Sequence, residues 1–219
     1  MKALLGAAAM VLALASVASA GQVTDRTERW DLSVTTRYTL EHDFDGDMGT
    51  SVHLDDDLGW GFSFGYNMNE RFNLGILMSW RSISYSADFI EDPIPPAQPT
   101  VGSYGGWLDT GTFALMGQFN LLPTTFTPYV NGGIGWTLID TNIVADYTVG
   151  CWWDPWWGYV CDDFTSTYGT DAASFLVGAG IRIEPNETVF IQFGYERAML
   201  DIDNADTFDM FRVDLGFTN

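Results

Sequence analysis

The stretch from Asp57 to Tyr85, DLGWGFSFGYNMNERFNLGILMSWRSISY, constrains the fold more than any other part of the chain. From Leu58 to Met68, large apolar side chains (Leu58, Trp60, Phe62, Phe64, Tyr66, Met68) alternate with small or polar ones (Gly59, Gly61, Ser63, Gly65, Asn67). A polar turn follows at Asn69-Glu70-Arg71. The alternation then resumes, with Phe72, Leu74, Ile76, Met78 and Trp80 against Asn73, Gly75, Leu77, Ser79 and Arg81. Successive strand residues point to opposite faces, so this pattern predicts a hairpin with one broad apolar face and one small, polar face. The arms are about 11 and 14 residues long. A soluble strand usually has about 5–6 residues, whereas a tilted strand crossing a bilayer needs about 9–11. Length and aromatic loading together put lipid on the apolar side.

The same alternation recurs at about 29–40, 107–121, 127–140, 172–183, 188–200 and 207–217, which makes eight strands. Their connections differ in kind. Those at 69–71, 122–125 and 184–187 are tight; those at 41–57, 86–106, 141–171 and 201–206 are acidic and mostly long. Short turns on one side and longer loops on the other are the asymmetry of membrane barrels, with the short turns periplasmic. A soluble eight-stranded barrel would turn its apolar face inward and present charge outside. Here the glycine-rich face suits a narrow lumen and the aromatic face suits lipid. The expected fold is all-β, an eight-stranded antiparallel up-and-down transmembrane β-barrel. The prolines of EDPIPPAQP remove ladder donors, so 86–106 is expected to be loop.

Residues 1–20 read as a separate object. Met1-Lys2 is a positive start, Ala3 to Val17 is apolar, and Ala18-Ser19-Ala20 is a small-x-small cleavage site. That is the pattern of a secretory signal peptide, too short in its apolar core for an anchor helix. Residues 21–219 are then the barrel domain. Lys2 is the only lysine, and the rest of the chain carries eight Arg against 29 Asp and Glu. Phosphate binding needs basic patches, so nucleic acid is excluded as a partner.

Charges inside the strands fall mostly on the small-residue face. Asp31, Arg37, Arg81, Arg182, Glu196, Arg212 and Asp214 are expected to form an ion-pair network in the lumen, since a charge facing lipid costs about 2–4 kcal/mol at the midplane. Strand direction sorts them into two layers. Arg37, Arg81 and Glu196 lie outward, with Arg81 paired to Glu196; Asp31, Arg182, Arg212 and Asp214 lie towards the periplasm. Arg197 has lipid-facing parity and is placed to snorkel, and Asp109, Asp140 and Asp209 share that parity at outer strand ends.

The long connections hold 18 of the 29 acids and no Arg. The first contains a DFDGD spacing, but Met48 and Leu54 stand where a calcium loop needs Gly and an acid, so no metal site is read there. Cys151 and Cys161, ten apart in an exported chain, read as one disulfide stabilising its loop by roughly 2–3 kcal/mol. Between them lie Trp152, Trp153, Trp156, Trp157 and Tyr159, an aromatic cluster suited to anchoring in headgroups, covering the barrel mouth or binding a partner. The only histidines, His42 and His53, share the first loop with Ser51, and no spacing fixes a catalytic constellation. The chain is not read as an enzyme, and no cofactor is expected.

Two segments carry a family resemblance. TPYVNGGIGW (127–136) resembles the PYV-G-G-GW segment of opacity-type, porin-like barrels. FRVDLGF (211–217) resembles the C-terminal signal of outer-membrane barrels, here followed by Thr218 and Asn219. Over its length after residue 20 the chain resembles the small eight-stranded Gram-negative families: OmpA-type transmembrane domains, opacity-type surface antigens and OmpW. The resemblance implies a place in the cell outer membrane among its lipid and lipopolysaccharide, and insertion by the outer-membrane assembly machinery. It also implies a structural, surface-exposed barrel with loop-mediated interaction or adhesion to an extracellular partner. The alternative is an OmpW-like narrow channel for small apolar molecules. Such a channel needs an apolar cavity at the outer mouth, where Leu77, Met116, Ile139 and Leu176 have inward parity.

Overall fold

The computed structural model describes residues 24–45, 51–91, 100–154, 158–201 and 207–219. The leader expected at 1–20 lies outside them. Ten strands carry the described chain: β1 (Trp30–Thr39), β2 (His42–Asp45), β3 (Ser51–Leu54), β4 (Asp57–Asn67), β5 (Phe72–Glu91), β6 (Thr100–Asn120), β7 (Phe126–Asp154), β8 (Gly158–Ile183), β9 (Val189–Leu200) and β10 (Thr207–Thr218). Eight of them close a barrel in the order β1-β4-β5-β6-β7-β8-β9-β10, antiparallel throughout. The ladder between β1 and β10, from Asp31↔Thr218 to Thr39↔Met210, completes the ring. Closure leaves no open edge within the bilayer, where an unpaired backbone group would cost several kcal/mol.

The period of two decides which way each side chain points. On β10, Phe211, Val213, Leu215 and Phe217 are exposed while Met210, Arg212, Asp214 and Gly216 are buried. An exposed apolar face of this kind is the lipid face. From Leu58 to Met68 it rises roughly 25 Å along the axis, at about 3.3 Å per residue and about 40° of tilt. Aromatic pairs mark both rims. Trp30 stacks on Phe64 at 4.8 Å at the end of the tight turns, and Trp60 meets Trp80 at 5.3 Å at the opposite end.

Inward glycines make room for the bulk that fills the tube. Tyr129 is buried, and its hydroxyl lies 2.5 Å from where a Cβ on Gly194 would stand. Glycine at 194 is therefore the partner of a large inward ring rather than a flexible joint.

The long connections differ from expectation. The acidic segment 41–57 contains the β2–β3 hairpin, which pairs through β3 with β5 from Leu54↔Tyr85 to Ser51↔Asp88. Strands β5 and β6 run on as a ladder to Glu91↔Thr100, so the prolines are confined to 92–99, outside the described residues. Strands β7 and β8 run to 29 and 26 residues and stay paired from Val144↔Thr167 to Asp154↔Gly158. Acidity there marks solvent, not loss of strand: a two-stranded ribbon satisfies its own inner hydrogen bonds in water. The β6–β7 ladder ends at Leu108↔Thr141, and above it the two ribbons separate. Asn142 fills the fork. Its Oδ1 accepts from the Trp107 amide at 3.1 Å and Tyr85 Oη at 3.3 Å, and its Nδ2 donates to Tyr104 Oη at 3.2 Å.

Candidate functional site

Inward parity brings side chains from all eight barrel strands into one tube, and the tube sorts them by height. At the floor, on the side of the tight turns, Arg182 pairs with Asp31 (Nη1–Oδ2 2.6 Å) and with Glu184 (Nε–Oε1 2.6 Å), its guanidinium 4.0 Å from the Phe190 ring centre. Arg26 joins the same Glu184 oxygen at 2.6 Å and is fully buried. It donates further to Glu70 O (3.1 Å), Leu122 O (3.4 Å) and Thr124 O (2.6 Å). One guanidinium thus ties together all three tight turns. Five fixed donors in a plane suit that task, which an ammonium cannot perform.

At mid-height, Glu196 accepts from Arg37 at 2.5 Å and from Arg212 at 3.3 Å, and Arg212 also pairs with Asp214 at 2.8 Å. Each layer holds two Arg and two carboxylates, so each is neutral as a unit. This balance lets ions sit in a low-dielectric tube. With its amide nitrogen turned towards Asp214 (3.0 Å), Gln192 accepts from Arg182 at 3.2 Å and links the layers.

The layering departs from the sequence expectation. Arg212 and Asp214 belong with Arg37 and Glu196, not with the periplasmic group, because Arg212 reaches up to Glu196. Arg81 does not pair with Glu196. It donates to Thr110 Oγ1 (2.9 Å), Thr39 Oγ1 (3.0 Å) and Met210 Sδ (3.3 Å), and lies 4.9 Å from the Phe208 ring centre. Glu196 already has two Arg closer at hand. The sequence reading missed Arg26 and Glu184, which sit in a lead-in and a turn, where no period reveals direction.

Apolar side chains fill the lumen on both sides of Arg81: on β5, Leu77 lies towards the tight turns and Ile83 away from them. Leu77, Ile83, Leu176, Leu200 and Phe208 are buried together, and Leu54 of the β2–β3 hairpin packs down on them. Met116 belongs to this group, and Ile139 packs against it. What remains empty within the tube is small: about 40 Å³ beside Asp31, Gln118, Asn131 and Arg212, and about 20 Å³ between Arg37, Ser79 and Leu176. Voids of that size hold about one to three waters, against about 300–1,000 Å³ for a ligand pocket.

Outside the tube, Arg197 carries a bidentate pair with Asp209 (2.6 and 2.8 Å), its register partner, so the outward arginine is neutralised by a neighbour on β10. His53 binds Asp43 (Nδ1–Oδ1 2.6 Å) and approaches Asp55 at 3.5 Å, an exposed ionic cluster on the first hairpin. Among the described residues no group of three or more His, Cys, Asp or Glu is placed to hold a metal. In the outer ribbon, Cys151 and Cys161 are register partners, as are Trp153 and Tyr159, and Trp152 stands opposite Val160. Trp156 and Trp157 lie outside the described residues.

A closed eight-stranded tube with a lipid-facing aromatic wall agrees with the family comparison. The model for the outer membrane protein beta-barrel domain matches residues 7–218. The chain belongs to this family. Membership places this outer-membrane barrel in the outer membrane. Among solved structures, it is similar to the outer membrane protein OprG of Pseudomonas aeruginosa, with 9% identity over 90% of this chain and 98% of that one and a TM-score of 0.58. It is also similar to Neisserial surface protein A, with 10% identity over 86% of this chain and 95% of that one and a TM-score of 0.50. A third likeness is the N-terminal barrel domain of Pseudomonas aeruginosa OprF, at 14% identity, 88% and 98% coverage and a TM-score of 0.49. At these identities the shared property is the fold. No curated protein matches the chain.

Proposed function

We propose that this outer-membrane barrel is a non-enzymatic structural protein whose extracellular ribbons carry interaction or adhesion. The filled lumen is the observation behind this reading. Two neutral ionic layers and an apolar layer occupy the tube, leaving internal voids of only about 40 and 20 Å³ among the described residues. The chain instead extends β-structure into the medium. The β7–β8 ribbon from Val144 to Asp154 reaches roughly 30 Å at about 3.3 Å per residue and ends in the tryptophan-rich segment. Its strand positions Cys151 and Cys161 face each other across the ladder, which supports a disulfide that would stiffen the ribbon. Export through a cleaved leader at 1–20 belongs to the same proposal.

The second reading, a narrow conduit for small apolar molecules, draws on the apolar layer beneath the outer mouth. Conductance in planar bilayers and uptake of apolar solutes separate the two. The structural reading expects neither above background. It also expects cells displaying a barrel with 142–170 replaced by a short turn to lose adherence to protein- or polysaccharide-coated surfaces. Solute uptake by the intact barrel together with unchanged adherence of the shortened one would overturn it.

A further inference from the structure

At the level where the ribbons leave the barrel, the outer wall carries a groove of about 830 Å³ crossing β4, β5, β6, β7 and β8. Trp60, Trp80, Leu58 and Leu138 give it apolar sides; all four are well exposed. Gly111 and Gly169 keep its floor low. A Cβ at Gly111 would stand 3.6 Å from the Trp80 indole, an ordinary contact. The polar side is carboxylate. Asp109 and Asp140 are register partners on the same face, and like charges directly opposite on neighbouring strands are destabilising. Asp171 stands beside them as the partner of Leu138.

Among the described residues these acids are only partly satisfied. Thr167 Oγ1 donates to Asp140 Oδ1 at 2.6 Å and Trp136 Nε1 donates to Asp171 Oδ2 at 2.9 Å, and all three carboxylates are exposed. The bordering basic residue, Arg81, turns its guanidinium into the lumen towards Thr39, Thr110 and Met210. Among the described residues the carboxylates form no group placed to hold a metal ion.

We propose that this groove seats an amphiphile with an ammonium head, a lipid of the surrounding membrane. Three features of the groove combine for that chemistry. It opens onto the lipid-facing wall at the outer aromatic rim, so an acyl chain can lie along the apolar belt while the head stays in the groove. Its uncompensated carboxylates complement a cation and repel a bare phosphate. Its paired indoles offer faces to an ammonium, which an aromatic ring attracts.

The test uses the purified, folded barrel in neutral detergent with equimolar lysophosphatidylethanolamine and lysophosphatidylglycerol of one chain length. Retained lipid is counted by native mass spectrometry. The ethanolamine lipid is expected to be retained several-fold over the glycerol lipid. Asp109→Asn with Asp140→Asn is expected to abolish the preference, and Gly111→Leu to reduce retention by filling the floor. Heat-modifiable gel migration shows that each variant is folded. Equal retention of the two lipids, a preference for the glycerol lipid with or without added calcium, or a preference unchanged in folded variants would overturn the proposal.

Discussion

Arg26 Nε and Glu184 Oε1 meet at 2.6 Å beneath the barrel, and the same oxygen receives Arg182 at 2.6 Å. A residue of the lead-in thereby joins a residue of the last tight turn across the tube. Removing Arg26 withdraws its bonds to the carbonyls of Glu70, Leu122 and Thr124 as well. Arg26→Ala is expected to cost about 3 kcal/mol, the lower end for breaking a buried pair, because Glu184 keeps Arg182. Arg26→Lys is expected to recover part of this, since charge survives but the planar fork does not. Unfolding midpoints in detergent, read from the heat-modifiable band, check both. An Arg26→Ala barrel that unfolds with the parent would show that the floor is not held this way.

The mid-height layer makes a sharper comparison. Glu196 neutralises Arg37 and Arg212, both buried, so Glu196→Ala leaves two guanidinium groups sharing only Asp214. A loss of about 3–5 kcal/mol is expected. Asp209→Asn breaks the exposed pair with Arg197 and is expected to cost about 1 kcal/mol or less. Denaturant titration of both variants in the same micelle gives the ratio. Comparable losses would mean that the lumen is far wetter than its burial indicates.

Gly194 and Tyr129 supply a test of the packed interior. A methyl at 194 would meet the Tyr129 hydroxyl oxygen at 2.5 Å, while the next ring atom, Cζ, lies at 3.4 Å. The severe clash therefore rests on the Tyr129 oxygen, with the Ala179 carbonyl a milder contact at 3.2 Å. Gly194→Ala is expected to cost about 1–3 kcal/mol as overpacking. Tyr129→Phe in the same chain is expected to return most of it, and a double-mutant cycle on unfolding free energies isolates the coupling. Simple additivity of the two changes would argue against this contact.

Much of the barrel was legible in the sequence because a strand's period of two is a local property. Leu58 to Met68 states its own orientation without reference to any partner. Pairing in the lumen is different: whether Arg81 or Arg37 reaches Glu196 depends on the stagger of β1 against β10 and β9, which alternation within one strand does not encode. Arg26 and Glu184 lie where the chain has no period at all. The outer ribbons were hidden for another reason. Segments such as 158–170 lack the apolar alternation that marks a lipid-facing strand, although the backbone ladder continues through them.

His53 makes the docking of the first hairpin depend on pH. Its ring faces Asp43 at 2.6 Å and Asp55 at 3.5 Å, with Glu41 also nearby in charge. The hydrogen bond to Asp43 is the main influence and raises its pKa above the ordinary 6.5. A raised pKa means that the folded hairpin favours the protonated ring. The stabilisation is fully present below pH 6.5 and is lost as pH rises through the higher folded value. Amide exchange in β2 and β3, corrected for the intrinsic pH dependence of exchange, should quicken across that window. The barrel strands below should not change, since their ladders do not involve this ring. His53→Gln should remove the pH step while leaving the Ser51↔Asp88 to Leu54↔Tyr85 pairing in place. If the step persists in His53→Gln, another group governs the hairpin, and the ionic cluster around His53 is only a solvated surface feature.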